Sequence, residues 1–250
     1  MVIAVLIGRK GSEGFPGKNL FKVLGKPMAS YPMEAAIGCA EVDRTYLSTD
    51  DEELMKLARS RGVEIIKRPA YLCTKEALGE DAYVHGYQYI KDELKKDIEF
   101  LVLLFCNAPT VTSDLIDRGI TLLRAHPEAD SAISVSRYNM WSPLRARKVG
   151  ADGLLHPFVP FETFGNPKTL NCDRDSQGDV WFFDTSVSIV RPKCLEALKD
   201  GLLPQRWMGK KILPLKQEGG CDVDYEWQVP MVEYWLKRYG FNEATTSHDK

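Results

Sequence analysis

Two unbroken apolar runs, Val2–Ile7 (VIAVLI) and Phe100–Phe105 (FLVLLF), constrain the fold of this chain more than any other feature. Each is too short for an ordinary helix and lacks polar alternation, which is the pattern of a strand covered on both faces in a parallel sheet. Arg44–Thr49, Val63–Ile66 and Ala132–Val135 read as further strands, with helical segments between them. Met33, Ala36 and Ile37 give Ser30–Cys39 a helical spacing. EELMKLARSRG follows Asp50 and Asp51, with Gly62 placed as a C-cap. Gly79–Leu94 and a segment capped by Ser113 or Asp114 and running to Leu123 complete this series. Strands resume at Val180–Phe183 and Ser186–Val190, then helices at Cys194–Leu198 and about Glu226–Tyr239, with Val229, Val232, Trp235 and Leu236 on one face of the last. This alternation predicts an open, mostly parallel α/β sheet flanked by helices. The 250 residues read as one domain, 1–250. Between Asn139 and Gln177 prolines, glycines and aromatics accumulate without a period, an excursion from that domain.

Charge and cysteine usage exclude several function classes. A formal net charge of -2 leaves no basic footprint for nucleic acid or an anionic membrane. No segment approaches the ~18–20 apolar residues that cross a bilayer. The first apolar run ends at Arg9 and Lys10, unlike a secretory leader, which makes the cytoplasm the expected compartment. The six cysteines are widely spaced and form no CxxC pair, which favours reduced thiols over a zinc site.

Two stretches carry chemistry. Gly8–Asn19 (GRKGSEGFPGKN) closes the first strand, where ligands gather in open α/β sheets. Its glycines let backbone N–H groups approach an anion, and Arg9, Lys10 and Lys18 can neutralise phosphate charge. It matches neither the Walker A nor the dinucleotide pattern, so a phosphate loop and a merely solvated loop both fit. Near the other end stands Asp222-Val223-Asp224. Two carboxylates two residues apart on extended backbone face one side, a hard-oxygen pair suited to Mg2+ bridging substrate phosphates. Gly219-Gly220 before the pair leaves room for a ligand; the alternative is a polar turn with two solvated acids.

In sequence order these stretches resemble the acylneuraminate cytidylyltransferases. GRKGSEGFPGKNL follows that family's R-x-G-S-K-G-[IL]-P-x-K-N loop, Leu47–Asp50 its V-S-T-D, and Arg68–Leu72 its R-P-x-x-L. Leu103–Pro109 occupies the place of L-L-Q-P-T-S-P, Ser131–Val135 that of the S-V-V-S strand, and Asp222–Asp224 that of D-I-D. The resemblance implies a Rossmann-like nucleotidyltransferase fold with a dimerisation segment inserted at about 139–177, and hence a homodimer. It implies transfer of CMP from CTP to an acidic sugar of the nonulosonate type, with pyrophosphate released. Arg9, Lys18, Asp222 and Asp224 would then be catalytic, and Gly8, Arg9, Gly11, Ser12, Lys18, Asn19 and Arg68 would hold the nucleotide. Asp222 and Asp224 would bind Mg2+. Asn107, Arg137 and Arg174 are the candidates for facing the acidic sugar, because arginine forks suit carboxylates.

Three departures stand out. Glu13 replaces the lysine of G-S-K-G, Phe105–Pro109 lacks the glutamine of Q-P-T-S-P, and Thr185–Val190 lacks the asparagine and glycine of N-G-A-I-Y. The last two lie on the acceptor side. They leave open another acceptor (an octulosonate or a sugar phosphate), another triphosphate, or a relative that binds nucleotide without turnover.

Overall fold

Successive side chains of a strand point to opposite faces, and the first apolar run is divided in this way. Val2, Ala4 and Leu6 of β1 (Val2–Ile7) enter one hydrophobic cluster; Ile3, Val5 and Ile7 enter another on the opposite face. The structure, a computed structural model, describes residues 1–11, 13–173 and 178–243. Its central sheet adds β2 (Arg44–Thr49), β3 (Glu64–Lys67), β4 (Phe100–Phe105), β5 (Ser131–Arg137), β6 (Trp181–Val190) and β7 (Ile212–Gln217). The seven strands lie in the order β7-β5-β6-β4-β1-β2-β3. β6 runs antiparallel to both its neighbours, and the other adjacent pairs are parallel.

Helices cover both faces, which is why β1 and β4 are apolar at every position. One face packs on α1 (Ser30–Gly38), α2 (Glu52–Arg59) and α4 (Ser113–Ala125) through Met33, Leu54, Leu115 and Ile120. The other packs on α3 (Gly79–Leu94) and α5 (Lys193–Glu196) through Tyr83, Tyr87, Ile90 and Leu195. A third cluster ties Phe15 of the first loop to Val223 and to Val229, Val232, Trp235 and Leu236 of α6 (Val229–Arg238). It draws the two ends of the chain together.

The observed elements differ from the sequence expectations in three places. The two strands expected at 180–190 are one, β6, whose register shifts between Phe183 and Ser188. Thr185 sits at this bulge with φ 62, so the apolar pattern breaks there although the strand continues. β7 was not anticipated, because it alternates in exposure and contains Pro214; an edge position tolerates both. α4 is capped by Thr112, whose hydroxyl accepts from the Leu115 amide at 3.1 Å. Ser113 donates instead to the Ala35 carbonyl at 2.9 Å. The 139–173 stretch holds short 3-10 turns and one hairpin, Arg147–Val149 with Leu155–Pro157. Among the described residues no helix is long and apolar enough to cross a membrane.

Candidate active site

From β1 the chain proceeds to β2 and β3 on one side, then crosses back to β4 on the other side of β1. Connections therefore diverge at the carboxyl ends of β1 and β4, the place where such sheets open a crevice. Gly8 is required here. A Cβ on it would lie 2.8 Å from the Cys106 sulfur and 2.9 Å from Leu54 Cδ2, so only glycine lets the two strand ends close at this point. A cavity of about 400 Å³ opens beyond them, lined by Ile7, Gly8, Arg9, Glu13, Lys18 and Asn19 from the first loop. Arg68, Leu72, Lys75, Ala77, Leu78, Gly79, Phe105, Asn107 and Asp224 complete the lining.

The decisive contact joins the two ends of the chain: Lys18 Nζ lies 2.6 Å from Asp224 Oδ1. Asp222 stands behind Asp224. Its carboxylate accepts from Asn107 Nδ2 at 3.3 Å, and the same amide donates to the Val223 carbonyl at 3.0 Å. The Val223 amide donates to the Asn107 carbonyl at 2.8 Å, and the Cys221 amide to Thr110 Oγ1 at 2.8 Å. This lattice fixes the acidic segment against the end of β4. Burial first, and the Asp224 charge second, raise the Asp222 carboxyl above the usual aspartate range, against Lys18 and a hydrogen bond from Thr185. Asp224 lines the cavity beside Lys18 and Asp222 lies outside the lining, two residues back; two carboxylates so close in the chain, one of them raised by burial, form a donor pair that fits a hard divalent cation.

Other positions have narrower uses. Arg68 is 6% exposed and gives Nη2 to the Ser48 carbonyl at 2.7 Å, so it braces β2 while lining the cavity floor. Burial pulls its pKa down. Arg9 donates to the carbonyls of Cys73 and Thr74 at 3.3 and 2.7 Å. Asn19 donates to the Arg9 carbonyl at 3.3 Å and so shapes the loop from within. Gly11 is left-handed, with φ 80, at the exposed bend of the loop. Arg137 is outside the cavity lining and pairs with Asp179 at 3.3 Å. Ser12 and Arg174 lie outside the described residues. Gly220 makes no room for a ligand as expected: a Cβ there would lie 2.6 Å from Asp184 Oδ2, so it serves close packing. The Cys106 and Cys221 thiols near the site are both pushed up to about 12 by burial, which leaves them protonated and poor nucleophiles.

Residues 3–149, more than half of the chain, match the cytidylyltransferase family model. The chain belongs to the cytidylyltransferase family. Against the N-acylneuraminate cytidylyltransferase of Escherichia coli O18:K1:H7, this cytidylyltransferase-family chain is 29% identical over 140 residues, 55% of its length and 32% of that protein's. Against the N-acylneuraminate cytidylyltransferase of Oncorhynchus mykiss it is 30% identical over 242 residues, 96% of its length and 51% of that protein's. The chain thus spans between a third and a half of these curated relatives. A solved CMP:2-keto-3-deoxy-manno-octonic acid synthetase complexed with CTP shares the fold, with a TM-score of 0.66 at 15% identity over 95% of this chain and 99% of that one.

Two features of this site escaped the sequence. Lys75, paired with Glu13 at 3.0 Å, lines the cavity although no motif includes it. The signal was its sign, opposite to Glu13, in the turn after Arg68–Leu72. The left-handed Thr185 backbone marks the place a glycine would fill without strain.

Proposed function

We propose that this chain transfers CMP from CTP to an acidic sugar of the nonulosonate type and releases pyrophosphate, with Mg2+ as its cofactor. The reading is carried by the 2.6 Å contact of Lys18 with Asp224, which brings the glycine-rich loop and the acidic segment to one cavity at the sheet's switch point, with Asp224 in its lining and Asp222 held beside it by Asn107. Family membership and the names of the relatives support the nucleotide and the acid sugar. In this reading the triphosphate lies along Gly8–Asn19, with the base toward the wall made by Leu72, Ala77, Leu78 and Gly79. Lys18 and Arg9 stabilise charge on the departing pyrophosphate, while Asn107 orients Asp222. Asp222 and Asp224 would hold Mg2+, which when bound neutralises the α-phosphate for in-line attack by the sugar hydroxyl. Positioning and charge neutralisation carry such a step, so no side-chain nucleophile is needed. The six free cysteines suit the cytoplasm, and the exposed apolar side chains of 139–173 suit a homodimer.

Pyrophosphate release, measured across a panel of triphosphates and acceptors with and without Mg2+, tests the reading. Release is expected from CTP with a nonulosonate and should be abolished by EDTA. Turnover with an octulosonate or a sugar phosphate would keep the chemistry and change the acceptor. Tight CTP binding with no pyrophosphate from any acceptor would replace the enzyme with a nucleotide-binding protein.

A further inference from the structure

The cations of the cavity differ in how firmly they are committed. Arg68 is buried against Ser48, and Lys18 is held by one of the two acids. Arg9 donates through Nη1 to the carbonyls of Cys73 and Thr74, the residues just before Lys75. It therefore pins the turn that carries Lys75 between the Ala70–Leu72 3-10 turn and α3. Lys75 alone among these four faces a carboxylate of the first loop, Glu13, at 3.0 Å, with both side chains about two-thirds exposed (68% and 70%) at the cavity rim. An exposed pair of this kind is weak and easily opened. A polyphosphate offers the ammonium more charge and more acceptor oxygens than one carboxylate does.

We propose that Lys75 is a triphosphate-binding residue and that Glu13 is its resident competitor, a rim latch that a polyphosphate must open. The proposal rests on the nucleotide reading above and adds a residue to it. Glu13 puts a negative charge in the loop where the motif it resembles has a lysine, and Lys75 brings a positive charge from across the rim. Before nucleotide enters, the Glu13–Lys75 pair masks that charge. When a triphosphate occupies the loop, Lys75 turns to phosphate oxygens and Glu13 swings toward solvent, which its exposure permits.

Calorimetric titration of the full chain with inorganic tripolyphosphate, CTP and cytidine tests this without requiring turnover. Lys75→Ala should weaken tripolyphosphate and CTP binding about tenfold, ~1.4 kcal/mol, and leave cytidine binding unchanged. Glu13→Gln should tighten both polyphosphate ligands several-fold. In the Lys75→Ala background, Glu13→Gln should give no gain, because its benefit acts by freeing Lys75. Lys75→Arg should bind as the wild type does. Wild-type-like binding by Lys75→Ala overturns the proposal alone, as does a Glu13→Gln gain of equal size in both backgrounds, which would mark a general charge effect. Equal loss of cytidine and tripolyphosphate binding in Lys75→Ala would assign Lys75 to the fold of the turn and overturn it too. A wild type that binds neither CTP nor tripolyphosphate overturns both the proposal and the nucleotide reading.

Discussion

Burial and the neighbouring Asp224 charge raise the Asp222 carboxyl, and Lys18 only partly offsets them. A raised acid takes up its proton more readily in the folded chain than in the unfolded one. Its ionisation therefore works against folding at neutral pH, and that penalty fades as pH falls through the folded pKa. Asp222→Asn should for this reason leave the protein as stable as the wild type or slightly more stable at pH 7. It should nonetheless cut turnover by at least about 100-fold, ~2.7 kcal/mol of barrier, because the amide cannot supply metal-binding charge. Asp224 is exposed and paired with Lys18, so Asp224→Asn should cost turnover on a similar scale with a stability change within about 0.5 kcal/mol. Denaturant melts alongside pyrophosphate assays separate these effects. Near-wild-type turnover in both variants would remove the acids from the chemistry. At this scale the sequence marked Lys18 and the acidic pair by residue type and motif, and the fold brings Lys18 to Asp224. It named Arg9 and Arg68 for the nucleotide but gave no sign that their guanidinium groups also donate to carbonyls of Cys73, Thr74 and Ser48, which only the folded chain brings within reach.

At the scale of elements, two acids fasten the sheet, Asp130 partly buried and Asp184 buried. Asp130, just before β5, accepts from the Lys210 and Lys211 amides at 2.7 and 2.9 Å and from Lys193 Nζ at 2.6 Å. Burial raises its carboxyl, but Lys193 and the two amides outweigh this and hold it at about 2. An unfolded aspartate titrates near about 3.9, so the stabilisation is complete above that value and is lost as pH falls toward 2. Wild type should exceed Asp130→Asn by roughly 1–2 kcal/mol at pH 7 after allowance for solvent screening. The two urea curves should converge near pH 2; a gap independent of pH would refute this origin. Asp184, 4% exposed at the β6 bulge, accepts from Ser134, Ser136, Gln217 and the Ser186 amide. Asp184→Ala should cost about 3 kcal/mol, since it strands those donors in the interior, and Asp184→Asn much less. Equal melting of the alanine and asparagine variants would show that the donors find other partners. These fastenings also explain which elements the sequence disclosed. β1 and β4, covered on both faces, announced themselves as unbroken apolar runs. The β6 bulge and the edge strand β7 depend on Asp184, Gln217 and Pro214, whose fit is tertiary and leaves no period in the sequence.

Across the whole molecule, Lys18 and Asp224 lie far apart in the chain, and nothing local to either predicts that they meet. The order of motifs along the chain suggested it, and the Phe15, Val223 and Trp235 cluster brings it about. The same reasoning applies to the 139–173 stretch, which contributes little to the core but displays apolar side chains. Met140, Trp141, Val149, Leu154, Leu155 and Phe158 are 58–71% exposed, and several lie on or beside the short hairpin. An isolated two-stranded hairpin is marginal in water, and a contiguous exposed apolar surface calls for a partner. A second copy of the chain supplies that cover in the reading above. Sedimentation of the wild type should then give a dimer. Leu155→Arg should weaken association about 10–100-fold, ~1.4–2.7 kcal/mol, with an unchanged melt of the sheet because Leu155 is 70% exposed. On the same reading, replacing 147–157 with a Gly-Ser linker should give a monomer that still binds CTP, since none of those residues lines the cavity at the ends of β1 and β4. A dimer that survives the linker replacement would move the interface elsewhere on the molecule, and a monomeric wild type would leave the apolar hairpin to a different partner.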